Sequence, residues 1–359
     1  MLFSQTDMEI LRLCAWCKDL PTRKTENLPA EIINLVHFDF LRLTRSKKSY
    51  RLTPLGYEVL QRAGFDHNPD STYRTDERIV TRRFQDAEIA LFFRRFGADI
   101  FVDTPRAEKR RDYYISAYTL RNTSNNSLLR NTQMLGFYYT DDTMFVPYYV
   151  TKDDIGLYAN VEMRSIFDQT IRCGRSPFVV FSGAGSLSEI SEIVMTERCR
   201  NEKQTYDTYT EAFEKFECSV AIIPMNEKGI RTMEVLKLTD YRTQIAKAVL
   251  GEDYLPPKSE HTDAISKSTG ENYIVGIDCN IPRMKRAMEL DTGAPNIIAF
   301  DYQVSTINKY CWGEVKKINI AEAERAFRLH RKCKKNNDKA FQTKDGSYVR
   351  VPTEHMKTR

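Results

Sequence analysis

Between residues 42 and 51 the chain carries five cations, Arg42, Arg45, Lys47, Lys48 and Arg51, and no acid. Cations at that density, with no counter-charge among them, suit the neutralisation of phosphate oxygens and the release of condensed counterions. A second set is acidic: Asp141, Asp142, Asp153, Asp154 and Glu162, with Lys152 among them. Carboxylates at the ends of neighbouring strands, with a Lys beside them, could hold a divalent metal and polarise water for phosphodiester hydrolysis. That chemistry wants an acid-x-Lys pair on a strand, whereas Lys152-Asp153-Asp154 runs in the other order after one, and Asp141-Asp142 fits a hairpin turn. The expectation is a protein with no catalytic residue, no metal and no cofactor.

Other constellations point the same way. A single-strand nickase of the two-histidine type needs two His around one hydrophobic residue plus a nucleophilic Tyr, and His37, His67, His261, His330 and His355 form no such pair. A tyrosine recombinase needs a spaced Arg, Lys, His-x-x-Arg and Tyr set, but His330 precedes Arg331 directly. Ser182-Gly183-Ala184-Gly185-Ser186 lies where a strand meets a helix, a place where backbone N–H groups can cradle an anion. It lacks the third glycine of a dinucleotide fingerprint and the Gly-Lys-Ser/Thr of a P-loop, so a turn capped by Ser186 with Glu189 accounts for it. Cys14 and Cys17 have redox or half-zinc spacing, but no second pair follows and both fall on one amphipathic helix. The eight cysteines are expected as free thiols, in the core where they are apolar.

The five cations need a rigid mount, and the surrounding sequence supplies one. Leu41, Leu43, Tyr50 and Leu52 are strand-like positions around the turn formers Ser46 to Ser49. Thr53-Pro54 then opens a helix with Leu55, Val59 and Leu60 on one side. Upstream, Thr6 to Glu9 reads as a capping box, followed by Met8, Leu11, Cys14 and Ala15 at helical spacing. A short helix is expected over 25–28 and another from Pro29 to about Phe38. Three helices and a basic hairpin in this order describe a winged helix, whose hairpin, the wing, touches the phosphate backbone. The helix in the recognition position offers only Glu31, Asn34 and His37 towards base edges, so Asn34 and His37 join the hairpin cations as the expected DNA contacts.

Length and composition, 359 residues with 41% hydrophobic and 29% charged, are ordinary for a globular protein of several domains. No apolar run reaches the roughly 20 residues that span a bilayer, so we expect no membrane contact and a cytoplasmic protein. From Arg325 onward eleven cations face three acids, a net +8 at an end that includes Arg331, Lys332, Lys334 and Lys335. The whole chain carries +5, which leaves the remainder at −3. That end is expected as a basic tail, a second phosphate-binding patch or a solvated terminus.

The expected organisation is a winged helix over 1–65, a linker over 66–76, α/β regions over 77–205 and 206–324, and the tail over 325–359. The body begins with a helix over 78–96, its apolar face built from Ile79, Phe84, Ile89, Phe92, Phe93 and Phe96 and its Arg82, Arg83, Arg94 and Arg95 outside. Strands are expected over 99–102, 113–120, 135–139, 144–150, 177–181, 218–224, 273–278 and 296–302, and helices over 154–172, 186–197, 240–250 and 282–290. The stretch 253–269, with a Pro-Pro pair and few aliphatics, is expected as an exposed loop, and no internal repeat is evident. The fold class is therefore α/β (α+β): a winged helix followed by a mixed sheet flanked by helices.

The motif YRLTPLGYEVL at 50–60 and the element order to about residue 200 resemble the replication-relaxation family of plasmid and conjugative-element proteins from low-GC Gram-positive bacteria. The resemblance implies a winged helix followed by an α/β region similar to the restriction-endonuclease fold. It also implies an accessory role in replication, relaxation or transfer, and it carries over no catalytic residue. The expected partners are double-stranded DNA first, then a second copy of the chain and replication or transfer proteins. Three rival functions remain open at this point: a ligand-sensing transcriptional regulator, favoured by a closed apolar pocket in the body; a divergent metal-dependent nuclease, favoured by converging acids beside a Lys; and a module that binds only protein, favoured by the apolar Ile32, Ile33, Leu35 and Val36.

Overall fold

The computed structural model describes residues 2–22, 29–65, 76–102, 112–123, 129, 132–151, 159–196, 199–200, 205–206, 209–214, 218–291, 295–312, 314–318 and 348–350. The short helix expected over 25–28, nearly all of the expected linker, Lys152 to Asp154, and Arg331, Lys332, Lys334 and Lys335 lie outside the described residues. The fold is mixed α/β, and the chain divides into two compact units, Met1–Arg95 with Lys332–Arg359, and Phe96–Arg331.

The first unit opens with strand β1 (Leu2–Ser4) and helix α1 (Gln5–Cys17). The helix begins earlier than expected. Ser4 is the N-cap: its Oγ accepts the Asp7 N–H at 3.0 Å, while the Ser4 N–H donates to Asp7 Oδ2 at 2.9 Å. Asp7 thus takes the third-position role expected of Glu9. Glu9 is instead buried and paired with Arg94. Met8, Leu11, Cys14 and Ala15 form the buried face, as their spacing requires.

Next come β2 (Leu20–Pro21), α2 (Pro29–His37), β3 (Leu41–Leu43), β4 (Ser49–Leu52) and α3 (Pro54–Arg62). The sheet order is β2-β4-β3, all antiparallel, with Arg42 opposite Arg51 and Leu41 opposite Leu52. Helix α2 ends in a double backbone closure, Asp39 N–H to Val36 O at 3.1 Å and Phe40 N–H to Leu35 O at 2.9 Å, with Asp39 at φ 58°. Thr53 caps α3 by accepting the Gly56 N–H at 3.1 Å, and its own N–H reaches back to the Phe40 carbonyl at 3.1 Å. Glycine is required at 56, because a Cβ there would stand 2.4 Å from the Phe40 oxygen. The hairpin is therefore clamped at its base between the end of α2 and the start of α3.

Helix α4 (Glu77–Arg95) closes the first unit, where a domain boundary at 77 was expected. Its second half is buried from Ala87 to Phe93. Arg83 and Arg94, expected outside, turn inward to the buried Asp19 and Glu9. A buried carboxylate demands a cation, and that pairing has no periodic signature along the helix.

The second unit contains β5 (Tyr113–Ser116), α5 (Ala117–Thr123), β6 (Gly136–Tyr139), β7 (Thr143–Tyr149), α6 (Ala159–Cys173), β8 (Ser176–Gly183) and α7 (Leu187–Thr196). The short pair β9 (Cys199–Arg200) and β10 (Thr205–Tyr206), α8 (Tyr209–Glu214) and β11 (Ser219–Pro224) complete a first sheet region. Then follow α9 (Glu227–Leu236), α10 (Tyr241–Leu250), β12 (Tyr254–Leu255), β13 (Ala264–Ser266), β14 (Asn272–Val275), α11 (Ile281–Leu290), β15 (Asn296–Phe300), α12 (Val304–Tyr310) and β16 (Val315–Ile318).

Two five-stranded sheets result, ordered β5-β6-β7-β8-β11 and β12-β13-β14-β15-β16. Each is an antiparallel meander of three strands to which two further strands add in parallel. The helices α6 and α11 occupy the same place in the two series, between the third and fourth strands. The two halves of the body therefore share one strand order and one set of strand senses. Both halves contribute to one hydrophobic core, so the regions expected as 77–205 and 206–324 form a single unit from Phe96 to Arg331.

Three local expectations are corrected. The run over 113–120 is strand only to Ser116 and helix thereafter, and 99–102 contributes an isolated bridge from Asp99 to Tyr113. The stretch 253–269 supplies β12 and all of β13, the first two strands of the second sheet, with an exposed connection between them over 256–260. At the far end of the chain β17 (Tyr348–Arg350) pairs antiparallel with β1, which returns part of the basic tail to the first unit. No helix among the described residues is long and apolar enough to cross a membrane.

Candidate nucleic-acid interface

The hairpin β3–β4 holds its tip by Thr44 N–H to Ser49 O and Lys47 N–H to Thr44 O, both at 2.9 Å, with Lys47 in the left-handed region at φ 57°. Arg42, Arg45, Lys47 and Lys48 are exposed on it. Arg51 differs: it is half-buried, and its Nε donates to Asp19 Oδ1 at 2.5 Å. Ser49 Oγ donates to the same oxygen at 3.1 Å, and Arg83 Nη1 stands 3.6 Å from Asp19 Oδ2. Asp19 is fully buried, so desolvation would make its charge costly without these partners. Four of the five hairpin cations are thus exposed, and the fifth is held by Asp19, which also stands near Arg83 of α4.

Between the hairpin and the first half of α4 lies a groove of about 860 Å³. Arg42, Arg45, Lys48 and Arg51 line one side, and Glu77, Val80, Thr81 and Phe84 the other. Glu77 and Thr81 were not foreseen, since nothing local to 77–84 signals that it faces a hairpin three dozen residues upstream. Asn34 and His37 sit together on the solvent side of α2.

Of the acidic set only Asp141, Asp142 and Glu162 are among the described residues, and these three do not come together. Asp141 and Asp142 are exposed in the turn between β6 and β7, as their hairpin spacing suggested. Glu162 is fully buried on α6, where Tyr148 Oη donates to its Oε2 at 2.8 Å and the Gln133 N–H donates to its Oε1. Among the described residues no group of three His, Cys, Asp or Glu is placed to hold a metal. In the second half of the body Asp278, which the sequence did not single out, is likewise committed: Tyr241 Oη donates to it at 2.7 Å and Arg242 at 3.0 Å. Burial first, and then the Asp278 charge, hold the Tyr241 phenol well above its ordinary pKa, so it stays a donor.

The glycine turn after β8 is accounted for by its own hydrogen bonds. Ser186 N–H and Oγ donate to Glu189 Oε2 at 2.7 and 2.9 Å, and Ser182 Oγ donates to the Ile223 carbonyl at 2.7 Å. Cys14 and Cys17 are buried free thiols whose pKa values burial pushes up, which keeps them protonated and poor nucleophiles. No protein-family model, curated protein or solved structure matches the chain.

Proposed function

We propose that the first unit is a winged helix that binds duplex DNA, and that the chain is a non-catalytic accessory protein of plasmid or mobile-element replication, relaxation or transfer. One observation carries the proposal: four outward cations, Arg42, Arg45, Lys47 and Lys48, ride on a hairpin whose base is fastened to α2 and α3. Such a hairpin would lie along the phosphate backbone while α2 meets a groove, dividing positioning contacts from base contacts. Pairing of β17 with β1 supports a contribution from the basic end of the chain, because it keeps that end with the same unit.

The body, read as restriction-endonuclease-like, would serve assembly with itself or with replication and transfer proteins. Its carboxylates favour that role over hydrolysis, since Glu162 and Asp278 are taken up by internal donors. Fluorescence anisotropy on a random duplex at low salt tests the binding proposal. Replacing Arg45, Lys47 and Lys48 by Ala should weaken binding by about tenfold or more, whereas the charge-conserving swap Arg45→Lys, Lys47→Arg, Lys48→Arg should retain it. Equal affinity of all three proteins would remove the hairpin from the interface.

A further inference from the structure

Resting on the reading of the first unit as a DNA binder, we propose that α2 prefers A·T-rich duplex, reading adenine with Asn34 and thymine methyl groups with Ile33 and Phe38. Ile32 and Leu35 are 4% and 3% exposed and turn one side of the helix into the core. That fixes Ala30, Ile33, Asn34 and His37, at helical spacing, as the outward face. Ile33 is 64% exposed, and Phe38, just beyond the helix end, is 56% exposed and extends the face. From residue 30 to residue 37 the face is about 10 Å long, the rise of about three base pairs.

The chemistry of this face is selective. It carries no Arg or Lys, so it has no bidentate donor for guanine O6 and N7. An Asn amide offers one donor and one acceptor, the complement of adenine N7 and N6–H₂, and the thymine C5-methyl is the apolar feature of the major groove. Glu31, the acid that would accept from cytosine N4, is half-buried and off the face. The His37 ring packs edge-on against Phe38 with centroids 5.1 Å apart, which braces the phenyl group at the end of the face. Large exposed apolar groups commonly mark a protein interface, but here the adjoining hairpin is exposed and cationic at Arg45, Lys47 and Lys48, and a polyanion complements it.

The test is fluorescence anisotropy of the full chain against equal-length duplexes at one salt concentration: A·T-rich, G·C-rich, A·T-rich with uracil in place of thymine, and A·T-rich with 7-deazaadenine, which lacks the N7 acceptor. The A·T-rich duplex should bind about tenfold more tightly than the G·C-rich one, and each substituted duplex should lose part of that advantage. Asn34→Ala, at an exposed position, should narrow the gap between A·T-rich and G·C-rich affinity. Equal affinity for all four duplexes would overturn the base preference and leave the DNA-binding reading standing. No binding to any duplex, with self-association that Ile33→Lys abolishes, would overturn both and give the apolar face to a second copy of the chain.

Discussion

Lys47 occupies the left-handed region at φ 57°, where a side chain costs free energy that glycine avoids. A lysine kept at such a place, exposed at the tip of a basic hairpin, fits a role outside the folded chain. Lys47→Gly should therefore leave stability unchanged or raise it by up to about 1 kcal/mol in a denaturant titration. The same variant should bind duplex more weakly, with a salt slope shallower by about 0.9, the share of one phosphate contact. Lower stability with unchanged binding would make Lys47 a structural residue. The identity of the basic hairpin was legible in five cations without an acid, but the inward turn of Arg51 was not, because its partner Asp19 lies on another strand connection more than thirty residues away.

Elements with local signals were legible to within a few residues. Thr53-Pro54 starts α3 where a cap followed by proline must, and the Ser186–Glu189 box starts α7. At α1 two candidate caps compete, and Ser4 wins over Thr6 because Asp7 can close the box while Glu9 is needed by Arg94. The strands β12 and β13 escaped notice because they are two and three residues long, too short for a period of two to register. The clamp of α4 onto the hairpin was invisible for the same reason that Arg51 was. Asp19 joins β4 to α4 through Arg51 and Arg83, so Asp19→Asn should remove the buried anion that two part-buried guanidinium groups share and cost about 3 kcal/mol locally. Hydrogen exchange would detect it as lost protection of the amides from Leu41 to Leu52. Unchanged protection there would mean that the hairpin does not depend on Asp19.

At the scale of the whole molecule, the shared order of the two sheets could not be read from residues, since sheets of like order can be built from unrelated apolar runs. What fixes them is the sense of each strand: meander, then parallel additions through α6 and α11. The return of β17 to β1 is equally non-local, joining the two ends of the sequence through three residue pairs, Leu2 with Arg350, Phe3 with Val349 and Ser4 with Tyr348. By contrast the charge asymmetry was plain, and it frames the central claim, which is electrostatic contact with DNA through the first unit. The most direct measurement is the dependence of duplex affinity on salt for the intact chain and for the chain with Arg45, Lys47 and Lys48 changed to Ala. Loss of three phosphate contacts should flatten the slope of log K against log salt by about 2.7. Identical slopes for the two proteins would contradict the claim, because the hairpin cations would then release no counterions.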